Sequence, residues 1–232
     1  MKTTKSARRG LTQFTDWQTR SVMKLFEACL AVVILSGCQS TGYVKSDAAA
    51  WHLESTANTL NAEGASLDGS LAALNDLTTN PSGDLRVQFG RFSEAVDKLS
   101  SLSSRASGNF ESLRKRGAAY FETWNKELLK MNDDQIRQAS ADRKAQVSSQ
   151  FESATGRYRD SQSALTPLIR YLQDIRKALS TDLTIAGVHA ANVPVQNANQ
   201  TAAGVKQNLA QAAGDLNSLG GAMSFMTASP TK

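Results

Sequence analysis

Apolar and small residues recur along most of this chain at alternating steps of three and four. Between residues 85 and 183 the rhythm fills two long stretches, separated by a break at residues 131–134 (MNDD). A 3.5-residue period held this long is typical of a left-handed coiled coil, in which one seam of each helix faces a partner. Because the break contains residues that start helices, we expect the two helices to fold into one antiparallel hairpin. The seam residues are Leu85, Phe89, Phe92, Val96, Leu99, Ser103, Ala106, Phe110, Leu113, Gly117, Tyr120, Trp124, Val147, Phe151, Ala154, Tyr158, Ser161, Leu165, Leu168, Leu172, Ile175 and Leu179.

The same rhythm continues on both sides of the hairpin. A first helix is predicted from Asp47 to Thr79, followed by a turn at residues 80–83 (NPSG) and by Asp84 as the N-cap of the hairpin. A loop is expected over residues 181–191, and a last helix begins near residue 192. The four helices should be about 33, 47, 52 and 33 residues long. We therefore predict an all-α fold, an elongated antiparallel four-helix coiled-coil bundle over residues 47–226, with a protruding long central helical hairpin.

The outer seams are just as regular. They comprise Leu53, Ala57, Leu60, Gly64, Leu67, Leu71 and Leu74 in the first helix, and Val195, Ala198, Ala202, Val205, Leu209, Ala212, Leu216, Leu219, Met223 and Met226 in the last. Because these helices are shorter than the hairpin arms, the tip at residues 131–135 should overhang them by about 20–30 Å. The tail at residues 227–232 is predicted to be disordered.

An apolar run precedes the helices. Residues 28–37 (ACLAVVILSG) are too few to span a membrane and have the length of a signal-peptide core. The run ends in Leu35-Ser36-Gly37-Cys38, which resembles the bacterial lipobox, where small residues allow the peptidase to cut before a lipid-modified cysteine. The resemblance implies a signal peptide over residues 1–37 and a diacylglycerol, with palmitate-type acyl chains, on Cys38. An uncleaved apolar anchor is the alternative.

The region around this signal adds two expectations. Since 27 residues precede Ala28, we expect Met23 to be the true start and residues 1–22 to be a mis-called extension. The residue after the cysteine is Gln39. Gram-negative lipoproteins that are retained at the inner membrane tend to have Asp at this position. By this resemblance the protein is a lipoprotein of the cell outer membrane, on its periplasmic face, with residues 38–46 as a lipidated tether.

Charge and chemistry narrow the function. The net charge is +5, but most of the excess lies in residues 1–37, which hold six basic and two acidic residues. The remainder of the chain holds 20 basic and 19 acidic residues, so it is nearly neutral and we expect no nucleic-acid partner. The only cysteines are Cys29 and Cys38, and the only histidines, His52 and His189, are far apart. We therefore expect no metal site, no cofactor other than the covalent lipid, and no catalytic residues, so the protein is predicted not to be an enzyme.

Two surface clusters are candidate sites. Tyr120, Phe121, Trp124 and Leu128 form an apolar face wider than a two-helix seam requires, which indicates either core packing or a partner-binding patch. The run Arg114-Lys115-Arg116 is either a solvated cluster or a contact for lipid head groups. The partners expected are the membrane, other envelope proteins and, as an alternative, a second copy of the chain.

Helix-breaking residues lie inside the predicted helices. Pro167 should kink its helix, because proline cannot donate to the Ser163 carbonyl, and a hinge there is the alternative. Close helix contacts or flexing would explain the internal glycines, Gly64, Gly69, Gly90, Gly108, Gly117, Gly156, Gly204 and Gly214.

Two short stretches carry a family resemblance. Residues 121–128 (FETWNKEL) and 165–168 (LTPL) resemble an uncharacterised domain-of-unknown-function family of bacterial secreted helical proteins, many of which have a lipobox. The resemblance spans roughly residues 40–222. It implies an extended helical bundle in the cell envelope and lends no activity. We therefore expect a structural or adaptor protein; a periplasmic holdase-type chaperone is the alternative, and an enzyme is a distant third.

Lipidation is the first testable prediction. The Cys38→Ala variant should lose incorporation of labelled palmitate and should leave the membrane fraction, because position 38 would no longer carry an acyl chain. The Cys29→Ala variant, altered only in the segment that is removed, should keep the label. Equal labelling of Cys38→Ala and wild type would contradict the assignment.

Overall fold

The computed structural model describes residues 42–224, and every regular element in this part of the chain is a helix. The helices are α1 (Gly42–Thr79), α2 (Leu85–Leu128), α3 (Asp134–Thr181), the short α4 (Ile185–Ala190) and α5 (Asn192–Met223). The predicted all-α helical bundle is confirmed. The signal peptide, Cys38, Met226 and the tail at residues 227–232 lie outside the described residues.

The four long helices surround one core in the order α1, α2, α3, α5. Helix α1 packs against α2 and α5, and α3 packs against the same two helices from the other side. The contacts are antiparallel: Lys45 Nζ, near the start of α1, donates to Thr123 Oγ1 near the end of α2 at 2.8 Å. At the other end, the Asn75 and Asn199 amides join α1 to α5. Contacts of α1 with α2 are more extensive than those between the hairpin arms α2 and α3, so α1 is the most integrated helix.

The core follows most of the predicted seams, with differences at α2 and α1. Five predicted seam residues of α2 are only half-buried, namely Leu85, Phe89, Ser103, Tyr120 and Trp124. In α5, every seam residue from Val195 to Met223 is buried. In α1, the buried face is wider than the seam, because two neighbours cover it. It therefore includes the polar residues Thr56, Glu63, Ser66, Ser70 and Thr78. The predicted seam residue Gly64 is only half-buried, whereas Glu63 beside it is fully buried.

Several helix ends agree with the predicted caps. The carboxylate of Asp84 accepts from the Arg86 N–H at the start of α2, and that of Asp133 accepts from the Ile136 N–H at the start of α3. The turn before α2 contains Gly83 with φ of +61°, a conformation that glycine adopts without strain. The loop expected at residues 181–191 instead contains α4, which the Thr184 side chain caps.

The start of α1 corrects one predicted boundary. The helix begins at Gly42 rather than at Asp47, so only Gln39, Ser40 and Thr41 separate it from Cys38. Residues 42–46 have no strong helix breaker other than Gly42, and their contacts with α2 and α5 hold them in the helix. The last five residues of the predicted tether, 42–46, are therefore part of α1.

The tip of the hairpin, residues 118–146, extends beyond the core. Gly117 in α2 and Val147 in α3 are the last buried residues before the tip, and no residue between them is buried. The segment of α3 at residues 134–146 is about 20 Å long at 1.5 Å per residue. The predicted overhang is wrong for α1, however, because the early start of α1 brings Lys45 level with Thr123 near the end of α2.

The next feature is the effect of Pro167 and the internal glycines on their helices. Helix α3 continues through Pro167 without interruption from Asp134 to Thr181. Among the glycines named above, only Gly117 is closely approached: an added Cβ would overlap the ring edge of Phe151 in α3. The other seven have open space around their Cα atoms, so the expectation of close contacts is wrong for them.

The contact at Gly117 generates a stability prediction. Gly117→Ala should lower the free energy of unfolding by about 1–3 kcal/mol, since the methyl group must displace the buried Phe151 ring. Gly108→Ala, on the same helix at an exposed position, should raise it by about 0.5–1 kcal/mol through helix propensity alone. Urea unfolding followed by circular dichroism measures both. Stabilisation by both substitutions would contradict the close contact.

Candidate functional site

The predicted aromatic patch is mainly a contact within the hairpin. Tyr120, Phe121, Trp124 and Leu128 are all half-buried. The Trp124 Nε1–H donates to the Ser140 hydroxyl on α3 at 2.9 Å, and the Phe121 ring meets the Phe151 ring edge-on at 5.6 Å. Tyr120, Phe121 and Trp124 also pack against the main core, so packing within the bundle accounts for most of this patch. A partner-binding role for the remaining exposed surface stays a prediction.

The predicted basic cluster is on the surface of α2. Arg114, Lys115 and Arg116 are all exposed, and Arg114 pairs with Glu111 one turn earlier at 3.2 Å. An exposed pair of this kind contributes little to stability. The cluster is therefore available to solvent, and head-group contact stays a prediction.

A buried polar centre, absent from the sequence-based candidates, lies in the middle of the bundle. Glu63 of α1 is fully buried, and its Oε2 accepts a hydrogen bond of 2.7 Å from the Gln162 amide of α3. The bond crosses the core between two helices that face each other diagonally. The Ser103 hydroxyl of α2 lies 3.4 Å from the Gln162 Oε1. The other carboxyl oxygen, Oε1, accepts no hydrogen bond from the described residues.

Burial changes the ionisation of this centre. Loss of hydration raises the pKa of Glu63 from 4.5 to about 7, although the hydrogen bond from Gln162 opposes the shift. Burial, and then the charge of Glu63, raise the pKa of the nearby Tyr158 well above its ordinary value. The Tyr158 ring stacks on Phe110 with 3.9 Å between centroids. The core therefore contains a carboxyl group that gains or loses its proton near neutral pH.

A second unpredicted feature is Trp51, on the outer face of α1. Its side chain is 62% exposed, and an open groove runs along each side of it. The groove towards α2 is lined by Asn58, Leu102 and Arg105, among others, and the groove towards α5 by Asn58, Asn217 and Gly221. The sequence signal for this feature is a tryptophan that lies outside the α1 seam.

Metal binding and membrane spanning are two further roles to consider for residues 42–224. No group of three or more His, Cys, Asp and Glu side chains in this part of the chain is arranged to hold a metal ion. No helix described here is both long and apolar enough to cross a membrane.

Comparison with known proteins identifies the family. The model of the family described as Protein of unknown function (DUF2959) matches residues 35–219. This match covers most of the chain, so the protein belongs to that family. No curated protein and no solved structure matches the chain.

The buried carboxyl generates a pH prediction. Because folding raises the pKa of Glu63 from 4.5 to about 7, the folded chain holds this proton more tightly than the unfolded chain. Its contribution to stability is therefore largest below pH 4.5, falls as pH rises towards 7, and stays low above that. The change should be about 2–3 kcal/mol. Glu63→Gln, which stays neutral, should be more stable than wild type at pH 8 and similar to it at pH 4.

Thermal unfolding of the chain from Ser40 onward, followed by circular dichroism at both pH values, provides the measurement. Glu54→Gln, an exposed change on the same helix, is the control and should leave the pH dependence intact. An unchanged pH dependence in Glu63→Gln would show that folding does not raise the pKa of Glu63.

Proposed function

We propose that the protein is a lipid-anchored structural or adaptor component of the cell envelope, which binds partner proteins through the outer face of α1. The observation that carries the proposal is the exposure of Trp51 between two open grooves. Tryptophan contributes most to binding when an interface covers it, and it is enriched among the residues that dominate binding energy. Trp124, by contrast, is half-buried and has its indole N–H bonded to Ser140.

The surroundings of Trp51 suit a protein partner. Glu54 and Asn58 lie one and two turns along α1, and Arg105 faces them from α2, so polar groups border the exposed ring. An apolar centre inside a polar rim is the usual arrangement of a protein interface. The open grooves would accept the side chains of a helix or strand placed against α1. This arrangement favours an adaptor that holds a folded partner.

The membrane anchor is the second part of the proposal. The lipobox resemblance at residues 35–38 supports a lipid on Cys38, and Gln39 supports the periplasmic face of the outer membrane. Trp51 lies about 14 Å along α1 from Gly42. A partner bound to this face would therefore be held close to the membrane.

Site-specific photo-crosslinking in living cells tests the adaptor role. A crosslinker at Asn58, which lines both grooves, should give one or two discrete adducts. Adding Trp51→Ala should reduce these adducts at least about tenfold, as expected for loss of an interface anchor, while palmitate labelling remains. A crosslinker at the exposed Val193, at the opposite end of the bundle, is the control and should not give the same adducts.

The identity of the captured protein completes the test. The purified partner should bind the wild-type protein and not Trp51→Ala. A broad set of unrelated adducts at Asn58, together with suppression of client aggregation, would instead support the holdase alternative. Adducts unaffected by Trp51→Ala would contradict the proposed binding face.

A further inference from the structure

We infer that the end of the α2–α3 hairpin is a second membrane contact, which rests on the lipid surface beside the anchor and buries Leu129 and Ile136 among the head groups. The inference goes beyond the proposed function and rests on its lipid anchor at Cys38. The occupant of this surface is a phospholipid bilayer.

The first support is the apolar surface at the extreme end of the tip. Leu129 is 85% exposed and Ile136 is 63% exposed, on either side of the turn, with the half-buried Leu128 and Met131 beside them. A single exposed aliphatic side chain requires no explanation. Here Leu129 and Ile136 lie together at the end of a segment that has no buried residue. Packing in the core therefore does not explain why they are apolar.

The second support is the charge around these side chains. Glu122 pairs with Lys126 at 2.6 Å, Glu127 pairs with Lys130 at 2.8 Å, and Asp134 pairs with Arg137. Residues 118–146 hold five basic and five acidic residues. The tip is therefore close to neutral, and an anionic lipid surface does not repel it. The basic members of the pairs can exchange a carboxylate for a lipid phosphate.

The third support is the length of chain between the anchor and the bundle. Only three residues join Cys38 to Gly42, so at most about 14 Å separate their Cα atoms. The start of α1 lies beside the tip, because Lys45 bonds to Thr123 of α2, and Leu129 is about 9 Å further along that direction. A lipid-anchored chain with so short a tether must hold its tip within reach of the bilayer.

The same tether excludes the opposite orientation. Thr79, at the far end of α1, is about 55 Å from Gly42 along the helix. The tether is far too short to place that end on the membrane while the tip points away. Two aliphatic side chains bind a bilayer weakly, so the contact depends on the anchor to keep the tip at the surface.

Fluorescence quenching by nitroxide lipids tests the inference on the full, lipidated protein. Single cysteines are introduced as Ile136→Cys at the tip and as Ile185→Cys, an exposed isoleucine at the far end, in a Cys29→Ala background. The purified proteins are reconstituted into vesicles of phosphatidylethanolamine and phosphatidylglycerol that carry nitroxides near the head groups. A label at position 136 should lie about 5–10 Å deep and be quenched at least about threefold more than one at position 185.

A second variant tests whether the apolar side chains at the tip make the contact with the bilayer. Leu129→Asp, added to the Ile136→Cys protein, should lower the quenching at position 136 at least about twofold, because a charged group resists transfer from water. Ile185→Asp in the same protein is the control and should leave it unchanged. An unchanged signal in Leu129→Asp would overturn the role of Leu129.

Mass spectrometry of the N-terminal peptide shows whether Cys38 carries lipid. It therefore separates a failure of the tip contact from a failure of the proposed anchor. If Cys38 carries lipid but position 136 is quenched no more than position 185, the tip contact is wrong and the anchor stands. Strong and equal quenching at both positions would mean that the bundle lies flat, which also overturns the inference. If Cys38 carries no lipid, the anchor in the proposed function is contradicted and the inference fails with it.

Discussion

The structure depends on the burial of α1 from two sides. Helix α1 faces both α2 and α5, and its buried stripe is wider than the single predicted seam. Its leucines supply the apolar part of this contact, and serine and threonine side chains supply small polar groups that bond to the preceding turn of the same helix, as Ser70 does to the Ser66 carbonyl. Because α1 bridges α2 and α5, the core would be open on that side without it.

Glu63 is the main energetic cost of this arrangement. Burying a carboxylate is unfavourable unless it is paired, and here one amide bond from Gln162 is the main compensation. The raised pKa of Glu63 is a direct consequence, since the protonated form avoids part of the cost. In return, the bond links two diagonal helices that share few other contacts. A shift of either helix by one turn would break it, so the bond favours one alignment of α1 with α3.

The start of α1 and the hairpin tip are at the same end of the bundle, and Trp51 lies within a few turns of it. The proposed lipid on Cys38 would attach the bundle at this end. Two contacts with a bilayer, one covalent and one through side chains, would limit rotation of the bundle far more than a single flexible anchor. The binding face beside Trp51 would then keep a fixed orientation relative to the membrane, which is a useful property in an adaptor.

The sequence determined the helices, most of the core and the expected cellular location, because heptad spacing and a lipobox-like stretch are local signals. Asp84 and Asp133 were readable as helix caps for the same reason, since a cap involves residues only a few positions apart. Family membership agrees with the resemblance seen in residues 121–128 and 165–168, while the lipid address stays a prediction.

The tertiary structure alone decided how wide the buried face of α1 is and which residues it contains. A heptad shows one seam per helix, so it cannot show that two neighbours cover α1 and that Glu63, rather than Gly64, is buried between them. It also cannot show that Trp51 is left outside both contacts, or that α1 begins at Gly42 because α2 and α5 support its first turns. These features depend on contacts between residues far apart in the chain, and such contacts exist only once all four long helices are assembled.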